Sequence, residues 1–161
     1  MATFKFEGID NYISQLEKIY SDTDAIIGVT IYDGADVVMD YVESALQGIQ
    51  VDNRYGTEEN KTIGPNSFQK EGLFRSVGIS KLRKDGFFWN VKIGFSGYNQ
   101  LRTIRWPQGQ PNAMVARSIE SGTSWMQKQP FMRKAEQAAK VPCERAMQER
   151  IDKEYKARIK E

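Results

Sequence analysis

The feature that most constrains this chain is a run of apolar residues at helical spacing that begins near Thr23 and holds to Ile49. Val29, Tyr32, Ala35, Val38, Met39, Val42, Ala45, Leu46 and Ile49 return to one side every three or four residues, the interval at which side chains share a face of an α-helix. A stripe of about seven turns is too long to leave in water, so the rest of the chain must pack along it. Thr23 or Asp24 offers a capping oxygen at its start. Gly28 and Gly34 each lower its helix propensity by about 1 kcal/mol relative to alanine. Either packing compensates, or another element comes close at those two positions.

Ahead of this helix, Phe4 and Phe6 alternate with Lys5 as in a short strand, and Asp10 can cap a first helix whose apolar positions are Ile9, Tyr12, Ile13, Leu16, Ile19 and Tyr20. Behind it, periodicity disappears. The stretch 51–70 is rich in Asp, Asn, Gly, Thr, Glu and Ser, and a run near 20 residues without structure is uncommon in a compact domain. It reads as a mobile excursion that orders against a partner.

Gly72-Leu73-Phe74-Arg75-Ser76 opens a half-turn, after which Val77 and Ile79 alternate with Gly78 and Ser80. Asp85-Gly86 is a two-residue hairpin signal. Beyond it Trp89, Val91, Ile93 and Phe95 share one face, and Phe88, Asn90, Lys92 and Gly94 the other. The apolar face is expected to cover the long helix. Basic residues Lys81, Arg83 and Lys84 beside these aromatics could instead form a stacking platform for single-stranded nucleic acid, but Trp89 in phase with aliphatic residues favours a place in the core. Residues 97–111 form a second loop carrying Arg102, Arg105 and Trp106, types enriched where one protein anchors on another; a tryptophan covered by its own loop is the plainer alternative.

Asn112 can cap a short helix that runs to Glu120. Gly122-Thr123 supplies a helix exit and Pro130 suits the first turn of the final helix. That helix, about 130–161, carries Phe131, Ala135, Ala138, Ala139, Ala146, Ile151, Tyr155 and Ile159 on one side. Val141-Pro142 should kink or split it. From Glu144 onward it is longer than a small sheet can cover, which points to a neighbouring subunit, with Tyr155 as a contact. The fold class expected is therefore α+β: one domain over 1–161, with a small antiparallel sheet, hairpin plus edge strand, against a long helix in the N-terminal half and a long kinked C-terminal helix.

Composition narrows function mainly by what it lacks. With no histidine among 161 residues, Ser-His-Asp and Cys-His nucleophiles and imidazole metal sites are excluded. The single cysteine, Cys143, has no intrachain partner and reads as a small packing residue. No glycine-rich phosphate loop occurs, and Glu58 and Glu59, adjacent in a polar stretch, diverge on a helix or a strand. No enzyme, cofactor or metal is expected. A net charge of +2 is too small to argue for nucleic acid, no apolar run is long enough for a bilayer, and the residues from Met1 to Glu7 lack the apolar core of a secretory signal.

Ala113-Met114-Val115-Ala116-Arg117-Ser118-Ile119-Glu120-Ser121-Gly122-Thr123, followed by Gln129-Pro130-Phe131-Met132-Arg133-Lys134-Ala135, resembles the signature of the phage neck and head–tail joining proteins, a family that includes minor tail components and virion morphogenesis proteins. Glu120, Gly122, Thr123, Pro130 and Phe131 stand where that family has them. Gly72-Leu73-Phe74-Arg75-Ser76 resembles its Gly-Leu-Leu-Arg-Ser segment, with Arg75 in register. Ser121 departs from the usual apolar residue. The resemblance implies a non-enzymatic subunit of a homo-oligomeric ring, a hexamer or dodecamer when assembled and able to be a monomer in solution. Its partners would be head-closure and tail proteins, with transient contact to phage DNA and none to a membrane. It would be made in the host bacterial cytoplasm and end in the virion. Tail terminator and minor tail component are the alternatives, and a nucleic-acid-binding module a more distant one. In such a ring Arg102, Arg105, Trp106 and Tyr155 are candidate interface residues, and Lys81, Arg83 and Lys84 candidates for facing DNA.

Overall fold

The structure, a computed structural model, describes residues 9–159; the expected strand at Phe4 and Phe6 lies outside them. In chain order the elements are α1 (Ile9–Ser21), α2 (Thr23–Gln47), α3 (Ser67–Ser76), β1 (Val77–Ile79), β2 (Arg83–Asp85), β3 (Phe88–Asn90), β4 (Ile93–Phe95), α4 (Asn112–Ser121) and α5 (Phe131–Arg158). The fold is α+β, as the periodicities predict.

The predicted stripe on α2 is buried in the structure, with Ala35, Val42, Leu46 and Ile49 at most 5% exposed. Its partner is α5, which runs antiparallel beside it. Phe131 and Ala135, at the start of α5, join Val42, Leu46 and Ile49 in one cluster with Leu73 of α3 and Val115, Ala116 and Ile119 of α4. Toward the other end, Arg150 of α5 reaches Asp33 at 3.6 Å and Arg158 reaches Asp22 at 3.1 Å. The distal half of α5 lies alongside this chain's own α2, a helix of 28 residues beside one of 25, and its buried residues are all in the proximal half, at Phe131, Ala135 and Ala139. Tyr155 keeps 43% of its surface. α5 continues through Pro142 as a single helix and is not split there, although proline has no N–H to bond one turn back.

Gly28 and Gly34 mark close approaches. A Cβ on Gly34 would lie 2.7 Å from Met147 Cγ of α5, and one on Gly28 3.3 Å from Leu82 Cδ2 of the hairpin. Low helix propensity on α2 is therefore offset by packing on two sides of it.

The expected caps differ. Asp22 holds the N-cap position of α2, yet its side chain makes no capping bond and instead accepts from Arg158 Nε at 3.1 Å. Thr23 donates back to the Ile19 carbonyl, and Asp24 pairs with Lys84. Asp10 lies within α1, and Asn112 lies within α4, where its amide donates to the Ser96 carbonyl at 2.9 Å. Short polar side chains serve wherever a partner comes within reach, and here tertiary partners outcompete local ones.

The hairpin has one irregularity. Val77 faces Phe95 and Ile79 faces Ile93, whereas Arg83 faces Asn90 and Asp85 faces Phe88. Between these two-stranded sheets, Ser80-Lys81-Leu82 opposes Val91-Lys92, one residue more on the first strand, which is a β-bulge. The Lys92 amide donates to Ser80 Oγ at 2.8 Å across it. The bulge turns Leu82 onto α2, where its amide donates to Tyr32 Oη at 2.9 Å. The turn is Gly86-Phe87, one position later than Asp85-Gly86 suggests, with Gly86 at φ 63° supplying the positive first angle that a type II′ turn needs. α3 replaces the expected half-turn; Asn66 and Gln69 form its capping box.

Leu46→Ala should cost about 2–5 kcal/mol, the range for deleting a fully buried leucine. A chemical denaturation curve measures it; a loss under about 1 kcal/mol would contradict the placement of Leu46 at the centre of the core.

Candidate functional site

Glu120, Gly122, Thr123, Pro130 and Phe131 meet at the junction of α4 and α5, and there they do structural work. Glu120, on the last turn of α4, accepts from the Met132 amide at 2.8 Å and the Arg133 amide at 3.3 Å, so a carboxylate from another helix caps the first turn of α5 where backbone N–H groups have no helical partner. Gly122 leaves α4 at φ 74°, with its Cα facing the Lys128 backbone. Thr123 Oγ1 accepts from the Met126 amide at 3.0 Å. Pro130 sits just before α5, and Phe131 meets Phe95 of β4 edge to face at 6.0 Å. Arg75 is remote from this junction and pairs with Glu71 on the surface of α3.

Gln129, which the sequence did not single out, ties the junction to the loop after α2. Its backbone N–H donates to Ile119, its Oε1 accepts from the Gln50 amide at 3.1 Å, and its Nε2 donates to the Ile63 carbonyl at 2.8 Å. Thr62 runs beside Trp125 and Met126 in a parallel bridge. The run that lacks helix and strand ends at Ser67, where α3 begins, and not at Lys70. Its organising residue is Asp52, whose carboxylate accepts from the Arg54 amide and guanidinium and from the Ile63 amide, at 2.7–3.1 Å. The Arg54 guanidinium and then the Ile63 amide hold the Asp52 pKa well below the ordinary 3.8. Stability from this depressed carboxylate is therefore complete above pH 3.8 and is lost only as pH falls toward the lower folded value. The Asp-x-Arg spacing, an aspartate folding back on its own backbone two residues on, was the available signal.

This loop and the loop 97–111 are the two walls of a groove floored by α4. Its volume is about 690 Å³, and Tyr55, Arg102, Arg105, Trp106, Met114 and Trp125 line it. The second wall is held by Asn99, only 4% exposed, which accepts from the Leu101 and Gln110 amides, and by reciprocal backbone bonds between Thr103 and Trp106. Arg105 lies 5.7 Å from the Trp106 ring centroid, which leaves Ile104 bare at the tip. The structure thus brings Arg102, Arg105 and Trp106 together, and Trp106 is half-buried. Tyr155 belongs to the far end of α5 and takes no part.

The basic cluster separates. Lys84 stands 4.6 Å from the Trp89 ring centroid and 3.2 Å from Asp24, an arrangement fixed by its cross-strand pairing with Trp89. Arg83 and Lys84, adjacent on a strand, project to opposite faces; Lys81 and Arg83 are exposed. Cys143 is half-buried beside Met147, and burial pushes its thiol up from the usual range. Among the described residues no group of three or more His, Cys, Asp or Glu could hold a metal ion, and no helix is long and apolar enough to cross a membrane. No family model, curated protein or solved structure matches the chain.

Glu120→Ala should uncap α5 and destabilise the fold by about 0.5–2 kcal/mol, the usual worth of a helix cap. An unchanged denaturation midpoint would show that the carboxylate is not needed there.

Proposed function

We propose that this chain is a structural subunit of a bacteriophage virion, a neck or head–tail connector that assembles into a ring of six or twelve copies and joins the capsid portal to the tail while DNA passes through. It is made in the host bacterial cytoplasm, is monomeric until it meets its neighbours, and contacts head-closure and tail proteins above and below. The observation that carries this reading is where the apolar side chains stand. Phe87 at the hairpin turn, Tyr55 in the first loop and Ile104 in the second are 99%, 100% and 104% exposed, and α1 presents Tyr12, Ile13, Leu16 and Tyr20 to solvent at 47–85%. Tyr12, Leu16 and Tyr20 stand four residues apart in one row of α1, and Phe87 and Phe88 sit side by side at the turn; clustered apolar groups of this kind mark surfaces that other chains cover.

Two further features support it. The signature residues from Glu120 to Phe131 hold the α4–α5 junction together, a role that a family preserving its fold requires. The exposed Lys81 and Arg83 leave positive charge available to a passing phosphate backbone, while Lys84 is occupied by Trp89 and Asp24. Contact of that kind is electrostatic and weakens with salt, as transient passage demands.

Sedimentation velocity and negative-stain electron microscopy of the purified chain over rising concentration, with and without the proteins of its virion neck, test this. Closed rings of uniform subunit number are expected. A chain that stays monomeric at every concentration and never joins the particle would overturn the reading.

A further inference from the structure

We infer that the β2–β3 turn of one copy seats in the groove between the 51–66 and 97–111 loops of the next copy. This inference rests on the ring reading and specifies its subunit contact.

The hairpin is anchored at the start of α2, through Lys84 to Asp24 at 3.2 Å. The groove is anchored beyond the end of α2, through Gln129 to Gln50 at 3.1 Å. Between these anchors lies α2 itself, 25 residues and roughly 37 Å at the helical rise of 1.5 Å per residue. The turn therefore cannot reach the groove of its own chain. Two complementary features at opposite ends of a rigid body make a heterologous contact, and repetition of such a contact gives a closed ring when the rotation between copies divides the circle.

The two surfaces also match chemically. The turn offers Phe87 at 99% and Phe88 at 77% exposure, with the Asp85 carboxylate beside them. The groove offers Tyr55, Trp106, Met114 and Trp125, with Arg102 and Arg105 among them. Its anion, Asp52, is already matched by Arg54 at 2.7 Å, whereas neither Arg102 nor Arg105 forms an ion pair among the described residues. Two phenylalanines bring about 150 Å² or more of apolar surface each. A space of about 690 Å³ is within the range of pockets that enclose groups of this size. Asp85 then approaches guanidinium groups that lack a carboxylate of their own. An anionic lipid surface is the rival occupant for an aromatic turn flanked by Lys81 and Arg83, but it would leave the groove empty and its arginines unmatched.

The test places a photoreactive p-benzoylphenylalanine at position 87 of the full chain, in an equal mixture of copies of natural and heavy nitrogen, with oligomeric state followed in parallel. Irradiation should give adducts between light and heavy copies that map to Trp106, Met114 or Trp125. Met114→Glu, at a half-exposed position and checked for an unchanged circular dichroism spectrum, should lower their yield by roughly tenfold or more, as loss of an interface anchor does. Adducts elsewhere in chains that still form rings would overturn this pairing and leave the ring reading intact. Chains that never associate, alone or with the proteins of the virion neck, would overturn both. Adducts to lipid in the presence of phosphatidylglycerol vesicles, with none between copies, would assign the turn to a membrane surface and overturn the pairing.

Discussion

The antiparallel contact between α2 and α5 is the interaction on which the rest depends. It buries the apolar stripe of α2 along its length, from Ile49 against Phe131 at one end to Asp22 against Arg158 at the other. Neither helix is strong by itself: α2 carries Gly28 and Gly34, and α5 carries Pro142. Helices of this kind draw their stability from the face they bury more than from intrinsic propensity. The small sheets cannot stand alone either, since two-stranded ribbons are marginal in water; β1 and β4 persist because Val77, Ile93 and Phe95 lie on the core at the α2–α5 contact.

From this pair the remainder follows in order. Lys70 of α3 donates to the carbonyls of Gln47 and Ile49 at 2.9 and 2.7 Å, placing a cation at the end of α2. That bond fixes α3 against the frame, and α4 packs beside it. Glu120 and Gln129 then deliver the chain into α5 while holding the loop after α2. The groove is a by-product of these ties: its walls are loops, yet each is secured by a buried or bridging polar group, Asp52 and Gln129 for one and Asn99 for the other.

Much of the fold was legible because it was periodic. The α2 stripe, the alternation over 89–95 that becomes β3 and β4, the short helix before Gly122 and the helix after Pro130 each show a regular spacing. What stayed hidden was non-local. Nothing near Asp22 indicates that its carboxylate is claimed by a residue 136 positions away, and the bulge at 80–82 leaves no local mark beyond a misplaced turn. α3 is announced by Asn66 and Gln69, a capping pair, but the loop composition before them obscures it. The site divided in the same way. Arg102, Arg105 and Trp106 could be picked out by type, but the wall they face is set by Asp52 and Gln129, whose partners lie far along the chain.

Native-state hydrogen exchange reads out whether α2 and α5 are one cooperative frame. The amides around Val42 and Leu46 and those around Ala135 and Ala139 are expected to be the slowest to exchange and to share one opening free energy, that of global unfolding. Exchange of α5 well ahead of α2, with α2 still protected, would show that the last helix detaches alone and would contradict it.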